Sequence, residues 1–136
     1  MKNILVLCTG NSCRSQMAEG FLRKYLKSDF KVFSAGIEAH GVNPLAVDVM
    51  KEIGIDISGH TSGTIDELPQ IPFSHLLTVC DNAKEKCPYF PASSVIHRNF
   101  PDPAKTRGTR EEILNSFRTT RDMIDEFCQE LSKNIS

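Results

Sequence analysis

The chain has 136 residues, enough for one domain and too few for two, so residues 1–136 are expected to form a single unit. Hydrophobic residues make up 40% and charged residues 24%, which excludes a disordered or collagen-like chain. A formal net charge of −1 gives no global attraction for nucleic acid or an anionic membrane, so any preference for an anion must come from a local site.

The first apolar run, Asn3 to Leu7, is short and suits a strand buried on both faces. It is too short for the apolar core of a secretory signal, and no run approaches the ~20 residues that span a bilayer. A cytoplasmic protein is therefore expected, with no membrane or nucleic-acid partner and no sequence feature that calls for more than a monomer. From Ser15, the positions Met17, Ala18, Phe21, Leu22, Tyr25 and Leu26 recur at helical spacing among charged residues. A second strand is predicted over Lys31–Ala35, closed by Gly36. Asn43 has the chemistry of a helix N-cap with Pro44 at the first helical position, and Gly54 suits the left-handed end.

Residues 58–72, rich in Ser, Thr, Gly and Pro, predict an irregular connection with at most one short helical turn. A third strand over Ser74–Val79 leads into Cys80, and residues 81–91 read as an exposed loop or weak helix. A fourth strand is predicted over Val95–Phe100, with Pro101 and Pro103 breaking regular structure around Asp102. Thr109 and Glu112 have capping-box spacing, and Ile113, Leu114, Phe117, Ile124, Phe127 and Leu131 give the last helix one apolar side. The alternation predicts an α/β fold of three layers, α/β/α, around a central, mostly parallel four-stranded sheet. Ligands in such sheets bind outside the carboxyl ends of the strands, where Cys8, Cys80 and Asp102 all fall.

Cys8-Thr9-Gly10-Asn11-Ser12-Cys13-Arg14-Ser15 joins the first strand directly to the first helix. Successive amides in such a turn form an anion-binding nest, and the helix amino terminus adds positive potential. Thr9, Gly10, Asn11, Ser12 and Cys13 would supply that lining, and Arg14 a planar fork for two oxygens of a tetrahedral anion. The same donors favour a thiolate at Cys8, with a hydroxyl hydrogen bond available from Ser15. An ordinary strand-to-helix turn with a buried cysteine is the alternative that these residues leave open. Cys13 reads as a packing residue or a second thiol near the site, and Cys128 as core.

Residues 8–19, Cys-Thr-Gly-Asn-Ser-Cys-Arg-Ser-Gln-Met-Ala-Glu, closely resemble the loop of the low-molecular-weight protein tyrosine phosphatases and of the arsenate reductases that share their fold. Gln16 favours the reductases, because the phosphatases commonly carry proline there. Asp102, taken alone, reads equally as a turn residue. The resemblance makes it the general acid, while Ala104, Lys105 and Thr106 stand where phosphatases place tyrosines that frame an aromatic substrate.

Cys80 and Cys87 lack structural-zinc spacing, and the pattern Val-Cys-Asp-Asn-Ala followed by Cys-Pro strongly resembles the thioredoxin-coupled arsenate reductases. The resemblance implies reduction of arsenate to arsenite through Cys8, Cys80 and Cys87, with Arg14 and Asp102 assisting. Thioredoxin would be the external reductant, with no tightly bound cofactor. Some reductases of the family hold potassium beside the loop. Asn11, Glu19, Ser34 and Thr61 match polar positions of that site, but Gly63 stands where an aspartate would complete it. The rival readings are a low-molecular-weight phosphatase, which needs neither Cys80 nor Cys87, and a non-enzymatic thiol sensor or metal-binding module, which explains neither Arg14 nor Asp102.

Overall fold

Alternation along the first strand divides the core. In the computed structural model, which describes residues 2–80 and 90–135, β1 runs over Lys2–Cys8. Its Ile4, Val6 and Cys8 face one apolar cluster, and Leu5 and Leu7 face another. Both sides are covered, which is why the run is apolar without interruption. The helix α1 follows at Arg14–Tyr25, then β2 at Phe30–Gly36 and α2 at Pro44–Lys51. The strands β3, His75–Thr78, and β4, Ser94–His97, precede the long helix α3, Arg110–Ile135.

The sheet order is β2-β1-β3-β4, and every pairing is parallel. From β1 the chain moves to one side for β2 and then crosses to the other for β3. The switch point of the topology therefore lies between the carboxyl ends of β1 and β3, where an open α/β sheet offers its crevice. Leu7 pairs with Thr78 there, so Cys8 and Cys80 leave adjacent strands at the same rim.

The helices α1, α2 and α3 pack on the face that holds Ile4 and Val6, contributing Met17, Phe21, Met50, Phe117, Ile124 and Cys128 to one core. Each fully buried large side chain of this kind contributes roughly 1.5–3 kcal/mol. The other face is closed, among the described residues, by the 58–73 connection with its one-turn 3₁₀ helix Ile65–Glu67. Edge-to-face contacts there link Phe33 to Phe73 at 5.5 Å and Phe73 to Phe90 at 5.6 Å.

Local chemistry sets the boundaries much as the sequence implies. Asn43 Oδ1 accepts from the Leu45 amide at 2.9 Å, Gly54 takes φ 82°, and Thr109 and Glu112 exchange both capping-box bonds. β4 ends before its predicted limit of Phe100. Arg98 N still bonds Thr78 O at 3.0 Å, but Phe100 then leaves the sheet to bury its ring in the helix-side core. Cys128 is buried as expected, and burial holds its thiol well above the ordinary range. Among the described residues no helix is long and apolar enough to cross a membrane.

Candidate active site

The loop between β1 and α1 is shaped from outside by the segment that precedes α2. Glu38 N donates to Thr9 O at 3.1 Å, His40 N to Gly10 O at 3.0 Å and Asn43 N to Ser12 O at 3.0 Å. In a trans peptide the carbonyl and the following N–H point in opposite directions. These three bonds therefore turn the amides of Gly10, Asn11 and Cys13 away from the 38–43 segment. Close approach of the two segments requires Gly36, where a Cβ would stand 2.7 Å from both Thr9 O and Glu38 O.

Asn11 is the scaffold of the loop. It adopts φ 45°, a left-handed conformation that asparagine tolerates better than most residues, and it is fully buried. Its Oδ1 accepts from Ser15 Oγ at 2.8 Å and Gln16 Nε2 at 3.0 Å, and its Nδ2 donates to Gly63 O at 3.2 Å. Its backbone carbonyl accepts from Ser62 Oγ at 2.7 Å. The Ser15 hydroxyl, expected beside the Cys8 sulfur, donates to Asn11 and so braces the loop.

Arg14, the first residue of α1, is 3% exposed and donates from Nη1 to Phe100 O at 3.1 Å. Its Nη2 lies 3.7 Å from Asp102 Oδ2. Asp102 is itself fixed by the Ala104 amide, which donates to its Oδ1 at 3.0 Å and opens a short 3₁₀ turn. Asp102, far from Cys8 and Arg14 in sequence, thus joins them in lining one cleft of about 440 Å³. Thr9, Gly10, Ser12 and Cys13 form its floor. Burial, reinforced by Asp102, pushes the Cys13 thiol up to about 12, so Cys13 stays protonated near neutrality. His40, Asn43 and Lys105 also line the cleft. Sequence reading missed the first of these and gave the other two different meanings. The usable signal was position, since His40 follows the carboxyl end of β2 on the same rim.

Cys80 is fully buried, and its sulfur lies 3.9 Å from the carbonyl oxygen of Leu7, the residue before Cys8. Cys87 lies outside the described residues.

The positions that match a potassium site do not fit a cation. Glu19 Oε1 accepts from Ser34 Oγ at 2.5 Å, and Glu19 Oε2 holds Arg23 Nε at 2.9 Å. His60 Nδ1 stands 3.7 Å from the same carboxylate, and Gln16 Nε2 donates to both Thr61 O and Asn11 O. Donors of the chain, one of them a guanidinium, already meet the oxygens a cation would need and offset the carboxylate's charge.

Comparison with known proteins defines the class first. The family model described as low molecular weight phosphotyrosine protein phosphatase matches residues 3–136, and the chain belongs to that family. Its relatives within the family include the arsenate reductase of Halalkalibacterium halodurans, 55% identical over 90% of this chain and 89% of that protein. The arsenate reductase of Bacillus subtilis is 49% identical over 97% and 96% of the two chains. A solved structure described as an arsenate reductase in the phosphate binding state superposes with a TM-score of 0.83, at 32% identity over the whole of both chains.

Proposed function

We propose that this protein reduces arsenate to arsenite and is regenerated by thioredoxin. The observation that carries the reading is the seat of Cys80, a second buried thiol packed behind the residue that precedes Cys8. A hydrolase has no use for a thiol there. A reductase needs one to collect the electrons' source next to the nucleophile.

The Cys8 thiolate attacks arsenic while Arg14 and the loop amides hold the oxygens, and Asp102 protonates the oxygen that leaves as water. Cys80, as thiolate, then attacks the Cys8 sulfur. The As–S bond breaks with its electron pair staying on arsenic, so arsenic(V) becomes arsenic(III) and arsenite departs. A Cys8–Cys80 disulfide remains. Cys87 attacks Cys80 and releases the Cys8 thiolate, leaving a Cys80–Cys87 disulfide. A thioredoxin dithiol reduces that pair, which closes the balance of one disulfide formed per arsenate reduced. The role of Cys87 rests on its sequence pattern, and the kinship with arsenate reductases supports the substrate. A relay ending in a reducible disulfide belongs to a reducing compartment, so the cytoplasm is our reading of location.

The cleft of Cys8, Arg14 and Asp102 also suits a phosphate monoester, which supports a weak phosphatase side activity. The test supplies arsenate, thioredoxin, thioredoxin reductase and NADPH and follows NADPH loss. Steady turnover abolished in Cys8→Ser, Cys80→Ser and Cys87→Ser, but kept in Cys128→Ser, is the expected result. Normal turnover by Cys87→Ser would sink the relay.

A further inference from the structure

His40 is more than half exposed, yet it is held at the mouth of the cleft by its backbone and on two sides of its ring. Its backbone amide donates to Gly10 O, and Nε2 meets Glu38 Oε2 at 2.5 Å. A Cβ on Gly10 would stand only 2.6 Å from Nδ1, so the imidazole lies directly on the anion loop and the absent side chain makes room for it. An ordinary surface histidine has no such seat. Proton uptake changes two things at this point. Nδ1 and Nε2 both become donors, and the charge of Glu38, which stands beside the ring at the rim, is neutralised.

We propose that His40, held by Glu38 against Gly10, sets the oxyanion affinity of the loop through its own protonation. The imidazolium tightens anion binding, and the neutral ring leaves Glu38 to oppose it. His40 is a binding and positioning residue in this scheme and takes no part in bond making. The inference rests on the reading that the loop receives an oxyanion, but not on the reduction of arsenate.

Among the described residues, the other charged and titratable groups at the cleft are Cys8, Cys13 and Arg14 from the loop and Asp102 and Lys105 from the 3₁₀ turn. All are common to the wild type and to His40→Gln, so the difference between the two isolates His40. Sulfate is the probe, because it remains a dianion across the range where arsenate changes charge. Its dissociation constant is measured by calorimetry at about pH 5.5 and about pH 8.5.

A single charge at the rim acting on a dianion predicts weakening of about five-fold between the two pH values in the wild type beyond that of His40→Gln. Glu38→Gln should tighten sulfate binding at the higher pH. His40→Gln retaining the wild-type ratio, Glu38→Gln leaving high-pH binding unchanged, or no sulfate binding by the wild type would each overturn the proposal. Arsenate turnover is measured separately. Its absence, with the predicted sulfate behaviour intact, would remove the proposed reductase activity and leave this inference standing.

Discussion

Ser15 Oγ donates to Asn11 Oδ1 at 2.8 Å, and this one bond connects the first turn of α1 to the only non-glycine residue in the left-handed region among the described residues. Removing either partner has unequal consequences. Ser15→Ala deletes one buried hydrogen bond and should cost about 1 kcal/mol. Asn11→Ala strips partners from Ser15, Gln16 and the Gly63 carbonyl while placing alanine at positive φ, so roughly 2–4 kcal/mol is expected. Urea denaturation of both variants gives the comparison. Equal losses would show that Asn11 is not the scaffold described.

Arg14 carries two duties with one planar group. Nη1 is committed to Phe100 O, and Nη2 faces Asp102. A lysine keeps the charge but can point its ammonium in one direction only, so it cannot tie down the 100–102 loop and grip an anion together. Arg14→Lys should lower kcat/KM for arsenate by about 100-fold or more, and loss of the buried bond to Phe100 O should cost about 1.5–3 kcal/mol. Steady-state kinetics beside thermal melting separates the two effects. A variant with near-normal kcat/KM would mean that a point charge suffices.

Much of this was legible from residues near one another in sequence. The strand-loop-helix of residues 3–26, the Asn43 cap and the Thr109–Glu112 box all depend on local spacing, and the structure reproduces each. What sequence did not disclose depends on segments meeting in space. His40 on Gly10, Glu38 on Thr9 and Gln16 on Thr61 are separated by tens of residues, and no periodicity encodes them. Ser15 was expected at the site by position, but a hydroxyl has several candidate acceptors within one turn. Only the left-handed turn at Asn11 shows which one it takes.

His60, within the 58–73 connection, reaches α1, with Nδ1 3.1 Å from Gln16 Oε1. Burial holds its pKa below the ordinary value, outweighing the opposing pull of Glu19. The unfolded chain therefore binds a proton more readily than the folded one, so stability falls as pH drops through the unfolded value of about 6.5. Melting temperature should decline from about pH 7.5 to about pH 5.5, and His60→Gln should flatten that decline. A His60→Gln curve parallel to the wild type would assign the acid sensitivity to other groups.

Alkaline pH should act through buried thiols. Cys13 is pushed up to about 12 and Cys128 higher still, each mainly by burial. The folded protein keeps these protons after the unfolded chain has lost them, so stability is full below the ordinary thiol value and falls as pH rises above it. The slope approaches about 1.4 kcal/mol per pH unit for each such group. Cys13→Ala should reduce the steepness of unfolding free energy against pH above about pH 9, whatever it does to stability at neutrality. The same protonation predicts that iodoacetamide at about pH 8 leaves Cys13 unmodified while Cys8 reacts, as peptide mass analysis would report.

The relay makes a sharper demand at Cys87 than loss of turnover. Without Cys87, the first two thiols still suffice for one passage: Cys8 takes the arsenate, Cys80 displaces arsenite, and the chain stops as a Cys8–Cys80 disulfide. Cys87→Ser should therefore release close to one arsenite per protein molecule and no more while thioredoxin is withheld. Cys80→Ser should release none, because no thiol then sits behind Leu7 to break the As–S bond. Rapid-quench arsenite analysis with mass mapping of the disulfide distinguishes these cases. The seat of Cys80 adds a geometric condition. Its sulfur is fully buried beyond the end of β3, and forming the disulfide removes the S–H that it offers the Leu7 carbonyl. Formation of the disulfide should then change the exchange protection of the amide of Val79, which bonds the same carbonyl at 3.0 Å. An unaltered Val79 amide after one turnover would show that Cys80 reacts without leaving its place, and the burst of arsenite alone would then carry the relay.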